Sequence, residues 1–328
     1  MESIKVLSGD IGGTKTRLAI VSVEGTRISI EHEASFASQA YQKFETLLSE
    51  FLSGVDVPCN AAFGVAGPVQ GRVVQTTNLP WIIDADVLQR QFGFASCTLL
   101  NDLEATACGL PALGTEDLLT LQAGAENALG NTAVIAAGTG LGEAGLYWDG
   151  VQSQPFATEG GHASFSPATE LEFALLRHLQ QRHQHVSWER VVSGMGILSL
   201  HDFLRAYRQV PAPDWLIDEM QSGDVAAAIS SAALAGRDEL CIETMDCFVR
   251  LYGAEAGNLA LKIMSRGGIY LGGGIAPKIL PLLQNGVFLE AFLNKGRMRP
   301  LLEAMPVRVI LNDRAALYGP ALRAAHNS

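Results

Sequence analysis

The sequence predicts an α/β protein of two domains, and three observations carry that prediction. The chain has 328 residues, too many for one ordinary hydrophobic core. Short apolar strand patterns alternate with amphipathic helical ones, as in layered α/β packing. A strand, Gly/Thr turn, strand unit opens the chain, and the same unit recurs from Thr132.

The first unit reads as strand Ile4–Leu7, turn Ser8-Gly9-Asp10-Ile11-Gly12-Gly13-Thr14 and return strand Arg17–Val21. In Tyr41–Leu52, Phe44, Leu47, Leu48 and Phe51 fall at helical spacing, which predicts an amphipathic helix. Ala61–Ala66 reads as a short buried strand stopped by Gly67-Pro68. Val87–Phe92 predicts a short helix, Cys97–Leu100 another buried strand and Leu103–Leu110 a helix. The second unit comprises strand Ala133–Ala136, turn Ala137–Gly142 and return strand Glu143–Tyr147. Beyond residue 165 helices are expected at roughly 170–184, 187–208, 224–235 and 237–264. Strand Ile269–Leu271 then runs into Gly272-Gly273-Gly274, and strand Val307–Leu311 and helix Ala315–Ala325 close the chain. The two glycine-turn units are either duplicated phosphate-facing halves or two unrelated hairpins.

Composition narrows the function classes. A hydrophobic fraction of 48% against 17% charged residues supplies large buried sheets and argues against disorder. With 23 basic and 34 acidic residues and no basic stripe, neither nucleic acid nor an anionic membrane is an expected partner. A phosphate site must therefore rest on local N–H groups and a metal ion. Cys59, Cys97, Cys108, Cys241 and Cys247 form no CxxC pair and read as small buried thiols of a reducing compartment. Met1-Glu2-Ser3-Ile4-Lys5 leads directly into a strand pattern, and no apolar run is long enough to span a bilayer. The expected location is the cytoplasm.

The opening glycine loop is close to a P-loop and fails as one. Position 14, before Lys15-Thr16, is Thr14 where that motif needs glycine, and a strand follows instead of a helix. The remaining readings are an ordinary hairpin turn with Asp10 as its cap, or a phosphate-holding turn. In the second, the amides of Gly9, Asp10, Ile11, Gly12, Gly13 and Thr14 face phosphate and Asp10 holds Mg²⁺, directly or through water. The second turn, Gly138-Thr139-Gly140-Leu141-Gly142, favours the phosphate reading, because two such turns can grip a polyphosphate from opposite sides. Gly273 and Gly274 would let a purine lie against backbone.

Asn101-Asp102 follows a strand directly and precedes a helix, so one of the pair can be an N-cap. Alternatively Asp102 is a general base at a strand's C-terminal end, accepting a sugar hydroxyl proton, and Asn101 bonds another hydroxyl. Glu159-Gly160-Gly161-His162 cannot be a zinc helix with two central glycines; it is an exposed turn or one that turns acid and imidazole toward a polar ligand. Glu189 reads on its own as a first-turn acid facing a helix dipole, and His178, His183 and His185 read as solvated surface.

Seven motifs in order and spacing resemble the bacterial glucokinases of the hexokinase–actin superfamily over essentially the whole chain. They are Gly9–Thr14, Thr77-Asn78-Leu79-Pro80-Trp81, Asn101-Asp102, Ala137–Gly142, Glu159–His162, Val191-Val192-Ser193-Gly194 and Leu271–Ile275. The resemblance implies a two-domain hexokinase/actin-like (ribonuclease H-like) α/β fold with its active site in a cleft between domains. It implies a small domain, 1–111 plus 312–328, and a large one, 112–311, with a helical C-terminal part. It implies transfer of the ATP γ-phosphoryl group to the 6-hydroxyl of D-glucose at the entry to glycolysis, with Mg²⁺, in a homodimer. Asp102 becomes the catalytic base, and Asn101, Asp102, Glu159, His162 and Glu189 the sugar ligands. Gly9–Thr14, Gly138 and Thr139 become phosphate contacts.

The chain also departs from relatives. The related repressor and kinase (ROK) group carries a zinc-binding cysteine cluster after the equivalent histidine. Here no cysteine lies between Cys108 and Cys241, so no zinc is expected. Ser164 stands where relatives often have aspartate, and Met195 where they have proline. A kinase for another hexose, a sugar-responsive repressor and an actin-like ATPase without a sugar site are the alternatives. The repressor would need a helix-turn-helix ahead of a core that starts at Ile4.

Overall fold

The computed structural model describes residues 3–211 and 213–326. Met1 and Glu2, read as the lead into the first strand, lie outside the described residues, as do positions 327 and 328 of the expected small domain. Residues 3–118, 155–157 and 312–326 form one compact unit, and 119–154, 158–211 and 213–311 form another.

The first unit is built on a sheet whose strands alternate side chains between two covered faces. Its strands are β1 (Ile4–Ile11), β2 (Lys15–Glu24), β3 (Arg27–Ala37), β4 (Asn60–Val65) and, further along, β8 (Ser96–Asn101), in the order β3-β2-β1-β4-β8. β5 (Val69–Gln70), β6 (Val73–Gln75) and β7 (Ile82–Asp84) form a small antiparallel sheet. Leu7, Leu18, Ile20 and Phe63 face a core with Phe44, Leu47 and Leu48 of helix α1 (Phe44–Phe51) and Leu88 of α2 (Ala85–Phe92). Helix α3 (Asp102–Gly109) follows β8 without a linker.

The second unit holds the sheet β12-β11-β10-β13-β14-β9. Its strands are β9 (Leu118–Gln122), β10 (Thr132–Ala137), β11 (Leu141–Trp148), β12 (Ser153–Thr158), β13 (Gly268–Gly272) and β14 (Val307–Ile310). Helices α4 (Glu170–Gln180), α5 (Gly194–Arg208), α6 (Asp214–Ser222), α7 (Val225–Leu234) and α8 (Glu239–Ile263) follow β12. Shorter helices α9 (Leu280–Leu283), α10 (Val287–Leu293) and α11 (Arg299–Glu303) separate β13 from β14. The core joins Ile135 of β10 to Phe248 and Tyr252 of α8, and to Phe288 and Phe292 of α10.

The final helix, α12 (Ala315–His326), belongs to the first unit. Its Leu317, Ala321 and Ala324 cover Val6, Ala19, Val21 and Ala62, the sheet residues that point away from α1. Ser8 Oγ donates to the Leu317 carbonyl at 2.5 Å.

Both sheets contain an antiparallel hairpin followed by two parallel strands, β2-β1-β4-β8 in the first and β11-β10-β13-β14 in the second. β1, β4 and β8 run parallel, as do β10, β13 and β14. The repeated strand order is what duplicated halves require; unrelated hairpins give no reason for it.

Candidate active site

Ile11, Val65 and Asn101 end their strands at one edge of the first sheet, since Ile11 pairs with Val65 and Val65 with Asn101. The Gly12-Gly13-Thr14 turn and Asp102 therefore lie at the same edge, at the carboxyl ends of parallel strands, where open α/β sheets bind ligands. The strand runs further into the glycine motif than the sequence suggested. Ser8, Gly9, Asp10 and Ile11 pair with Ala19, Leu18, Arg17 and Thr16 of β2, and at Gly9 a Cβ would press on the side chains of Phe63 and Leu18, which marks a close packing approach within the strand. The turn itself is Gly12–Thr14, closed by Gly12 N–H on the Lys15 carbonyl at 3.0 Å and pinned by Ser38, whose Oγ donates to the Gly12 carbonyl at 2.7 Å.

Asp10 projects from the end of β1, where Arg17 Nη2 meets its Oδ2 at 3.3 Å. The same guanidinium binds Asp313, through Nη1 to Oδ2 at 2.8 Å and Nη2 to the main-chain carbonyl at 2.5 Å. Burial raises the Asp10 carboxyl above its ordinary range, and Arg17 opposes that rise.

Asn101 is the N-cap of α3: its Oδ1 accepts the Leu103 N–H at 3.0 Å, and its own N–H donates to Glu104 Oε2 at 3.1 Å. Its Nδ2 donates to the Gly67 carbonyl at 3.3 Å. Asp102 is half-buried, and its Oδ1 accepts the Leu103 N–H at 2.9 Å. A carboxylate in the first turn of a helix is electrostatically favoured. The cap thus fixes the orientation of the acid next to it.

In the second unit the turn after β10 and the turn after β13 share an edge, because Ala136 pairs with Gly272. Gly273 takes a φ of +80°, and a Cβ there would strike the Ala137 backbone, so only glycine brings this turn against the first. The Gly194 N–H donates to the Gly138 carbonyl at 2.8 Å, which seats the N-terminus of α5 on the turn. A cavity of about 430 Å³ opens beside these elements, lined by Gly138, Thr139, Met195, Asp224, Gly274 and Lys278 among others. Its size suits a nucleoside. Of these lining residues, Gly138, Thr139 and Gly274 are ones the sequence offers for a nucleotide, and Asp224, Met195 and Lys278 are not.

The same unit gathers Glu159, His162 and Glu189. His162 Nε2 lies 3.8 Å from Glu159 Oε2, and His162 Nδ1 lies 4.0 Å from Glu189 Oε1. Glu159 and His162 are exposed, with Glu189 only 20% so. Glu189 sits in a single 3₁₀ turn, Trp188–Arg190, and α5 begins afresh at Gly194, so the helix expected over 187–208 is interrupted. The acid does not serve the dipole of α5; its Oε2 accepts the Leu141 N–H at 3.0 Å.

The histidines expected on the surface are less idle. His178 packs on the Phe203 ring at 5.6 Å, and His185 Nε2 bonds the His162 carbonyl at 2.8 Å. Cys97, Cys241 and Cys247 are buried, and burial pushes each thiol up to about 12, but Cys59 is exposed. Among the described residues no group of three or more His, Cys, Asp or Glu side chains could hold a metal ion. Among them, too, no helix is long and apolar enough to cross a membrane.

Two sheets that repeat this four-strand order, each with a glycine turn at the edge that carries polar side chains, place the chain among the hexokinase- and actin-like phosphotransferases. The chain belongs to the glucokinase family, whose model matches residues 7–327. It is 43% identical to a glucokinase of Trichormus variabilis, over 98% of both chains, and 39% identical to one of Synechocystis, over 99% of both. The solved glucokinase of an Antarctic psychrotroph superposes with a TM-score of 0.87 at 33% identity, over 99% of both chains. A glucokinase of Balamuthia mandrillaris, solved in complex with glucose, shares the fold with a TM-score of 0.78 at 21% identity, over 99% of this chain and 94% of that one. The chain is an ATP-dependent hexose kinase with glucokinase activity.

Proposed function

We propose that Asp102 is the base that takes the proton of the 6-hydroxyl of D-glucose as that oxygen attacks the γ-phosphorus of ATP. The observation that carries this reading is the position of Asp102 at the carboxyl end of β8, on the same edge of the sheet as the Gly12–Thr14 turn. A carboxylate there can accept the proton, while turn amides neutralise charge on the transferring group.

Around the sugar, Asn101, Glu159, His162 and Glu189 serve the remaining hydroxyls. Asn101 has an Nδ2 hydrogen beyond the one given to Gly67, and Glu159 and Glu189 supply acceptors. A site that pairs each hydroxyl discriminates against epimers, because the wrong one strands a buried polar group. Adenosine occupies the cavity beside Gly274 and Met195, with Gly138 and Thr139 toward the phosphates.

Asp10 is the residue we assign to Mg²⁺. It presents a lone carboxylate at a strand end, with Arg17 on Oδ2. Mg²⁺ keeps several waters and binds through one or two carboxylates plus substrate phosphates, so this donor set fits a nucleotide-borne ion. When bound, the ion neutralises charge on the phosphoryl oxygens.

We further place the enzyme in the cytoplasm, as a homodimer at the entry to glycolysis. Free thiols at Cys97, Cys241 and Cys247 support a reducing compartment. Sedimentation of the purified protein tests the dimer.

The decisive measurement is sugar-dependent ADP release by the full-length protein with glucose, mannose, fructose and galactose in turn. The expected kcat/KM for glucose exceeds that for each of the other three hexoses by at least about tenfold. ADP release that is equal with and without sugar would overturn the assignment.

A further inference from the structure

Glu143 stands in the middle of β11, in the run Leu141-Gly142-Glu143-Ala144-Gly145-Leu146, where its neighbours are small or apolar. It is 3% exposed, and its Oε1 has no hydrogen-bond partner. A buried carboxyl in such a position is costly unless it is neutral or paired. The group whose charge bears on it is another carboxyl, that of Glu255 of α8, which is itself fully buried. Two carboxyls buried within reach of each other's charge are tolerated only if one carries a proton. Glu255 also accepts from Asn258 Nδ2 at 2.8 Å and faces Lys262 Nζ at 3.3 Å, so it is the member with partners for a negative charge. The proton therefore belongs on Glu143.

The other side of Glu143 touches the sugar turn. A Cβ on Gly160 would overlap Glu143 Oε2, so the carboxyl occupies the space that a side chain at that position would fill. Thr158 Oγ1 donates to the Glu143 carbonyl at 3.1 Å and accepts the Gly160 N–H at 3.2 Å, tying the turn to β11 a second time. Gly160 is flanked by Glu159 and lies two residues from His162.

We propose that Glu143 is the positioning residue of the Glu159–His162 turn, its neutral carboxyl buttressing Gly160 from beneath while Glu255 holds it in place. The inference rests on the assignment of Glu159 and His162 to the sugar. Ionisation of Glu143 sets two negative charges against each other in a dry interior, and the carboxyl cannot move away from Glu255 without pressing on Gly160. Burial, and then the charge of Glu255, raise the Glu143 carboxyl to about 8, with Lys262 opposing. The other groups facing the pair are Tyr252 of α8 and Lys295 after α10, whose Nζ donates to Asn258 Oδ1 at 2.7 Å; Glu159 and His162 lie on the turn itself.

The test is equilibrium glucose binding to the full-length protein between pH 6.5 and 9.5, read by tryptophan fluorescence. If only the neutral form binds, the wild-type Kd rises about tenfold from pH 7 to pH 9. E143Q keeps the size and neutrality of the protonated acid: its Kd at pH 7 stays within about threefold of wild type and the alkaline rise disappears. E255Q lets an amide donate to Glu143, which eases ionisation, and moves the rise to lower pH. A wild-type Kd that stays level to pH 9, an E143Q that keeps the rise, or an E255Q that leaves it in place overturns the proposal. Should E143Q not fold, the E255Q and wild-type profiles decide. E159A is measured in parallel at pH 7. Normal glucose binding by E159A removes the sugar-site assignment and the proposal with it, whereas weakened binding beside an unmoved E143Q profile refutes the role of Glu143 alone.

Discussion

Glu189 Oε2 accepts the N–H of Leu141 at 3.0 Å, while Oε1 of the same carboxylate lies 4.0 Å from His162 Nδ1. One side chain thus joins the first residue of β11, just past the Gly138–Gly140 turn, to the acid–imidazole turn assigned to the sugar. Replacing it by alanine removes a hydrogen bond to a charged group, worth about 1.5–3 kcal/mol. The expected result for Glu189→Ala is a glucose KM roughly 10- to 100-fold higher. Steady-state kinetics at saturating ATP checks it; an unchanged glucose KM rules the ligand role out.

Removal of the base acts on a different parameter. Asp102→Ala is expected to lower kcat by about 10²–10⁴, the range of general-base contributions, with a smaller change in glucose KM. Asp102→Asn should fall nearly as far, because the amide keeps the shape and cannot take the proton. Turnover within a few-fold of wild type in both variants would exclude Asp102 as base.

The nucleotide cavity gives a third expectation. Ser230 lines it, and its Oγ donates to the Ala227 carbonyl at 3.1 Å. A tryptophan at that position fills space meant for adenosine, at a cost of about 1–3 kcal/mol. Ser230→Trp should raise the ATP KM by about tenfold or more and leave glucose binding unaltered. Equal effects on both substrates would contradict the assignment.

Stability should depend on pH through Glu143. Burial, and then the charge of Glu255, push its carboxyl up to about 8 from an ordinary value of 4.5. Between those values the native state binds a proton that the unfolded chain has released, so stability falls as pH rises across the window. Thermal unfolding midpoints of wild type and E143Q should therefore separate in favour of the variant from about pH 5 to about pH 8. Parallel curves would show that Glu143 does not titrate abnormally.

The last prediction concerns packing. Leu317 is 1% exposed in a cluster with Val6, Val21 and Ala62. Leu317→Ala should destabilise the first unit by about 2–5 kcal/mol. Hydrogen exchange should show the loss in β1, β2 and β4, with the amides of α8 protected as before.

Much of this arrangement was legible before any coordinates. The alternation in Ile4–Val21 and Thr132–Tyr147 exposed the two hairpins, since side-chain period and glycine turns are local properties of the chain. Asn101 was read both as cap and as ligand, and the cap half of that reading is present as hydrogen bonds. Other features were hidden for physical reasons. β3 went unread because its pattern is mostly half-exposed, without the buried alternation that marks a strand. The interruption before α5 depends on Ser193 Oγ bonding the Glu189 carbonyl at 2.7 Å, a contact that propensity does not encode. Arg17 was passed over as an ordinary strand residue because its partner, Asp313, lies 296 positions away. Glu143 did leave a trace, as the lone charge in an otherwise apolar return strand.

The placement of α12 has a consequence for biosynthesis. The ribosome makes β1, β2 and β4 first, yet the side chains that close one face of their sheet are Leu317, Ala321 and Ala324. Every residue of the other unit must be translated in between. During that interval Val6, Ala19, Val21 and Ala62 are open to water or to a chaperone, while the later-made unit has all its own core residues in hand. The half of the molecule that is synthesised first is thus the half that matures last.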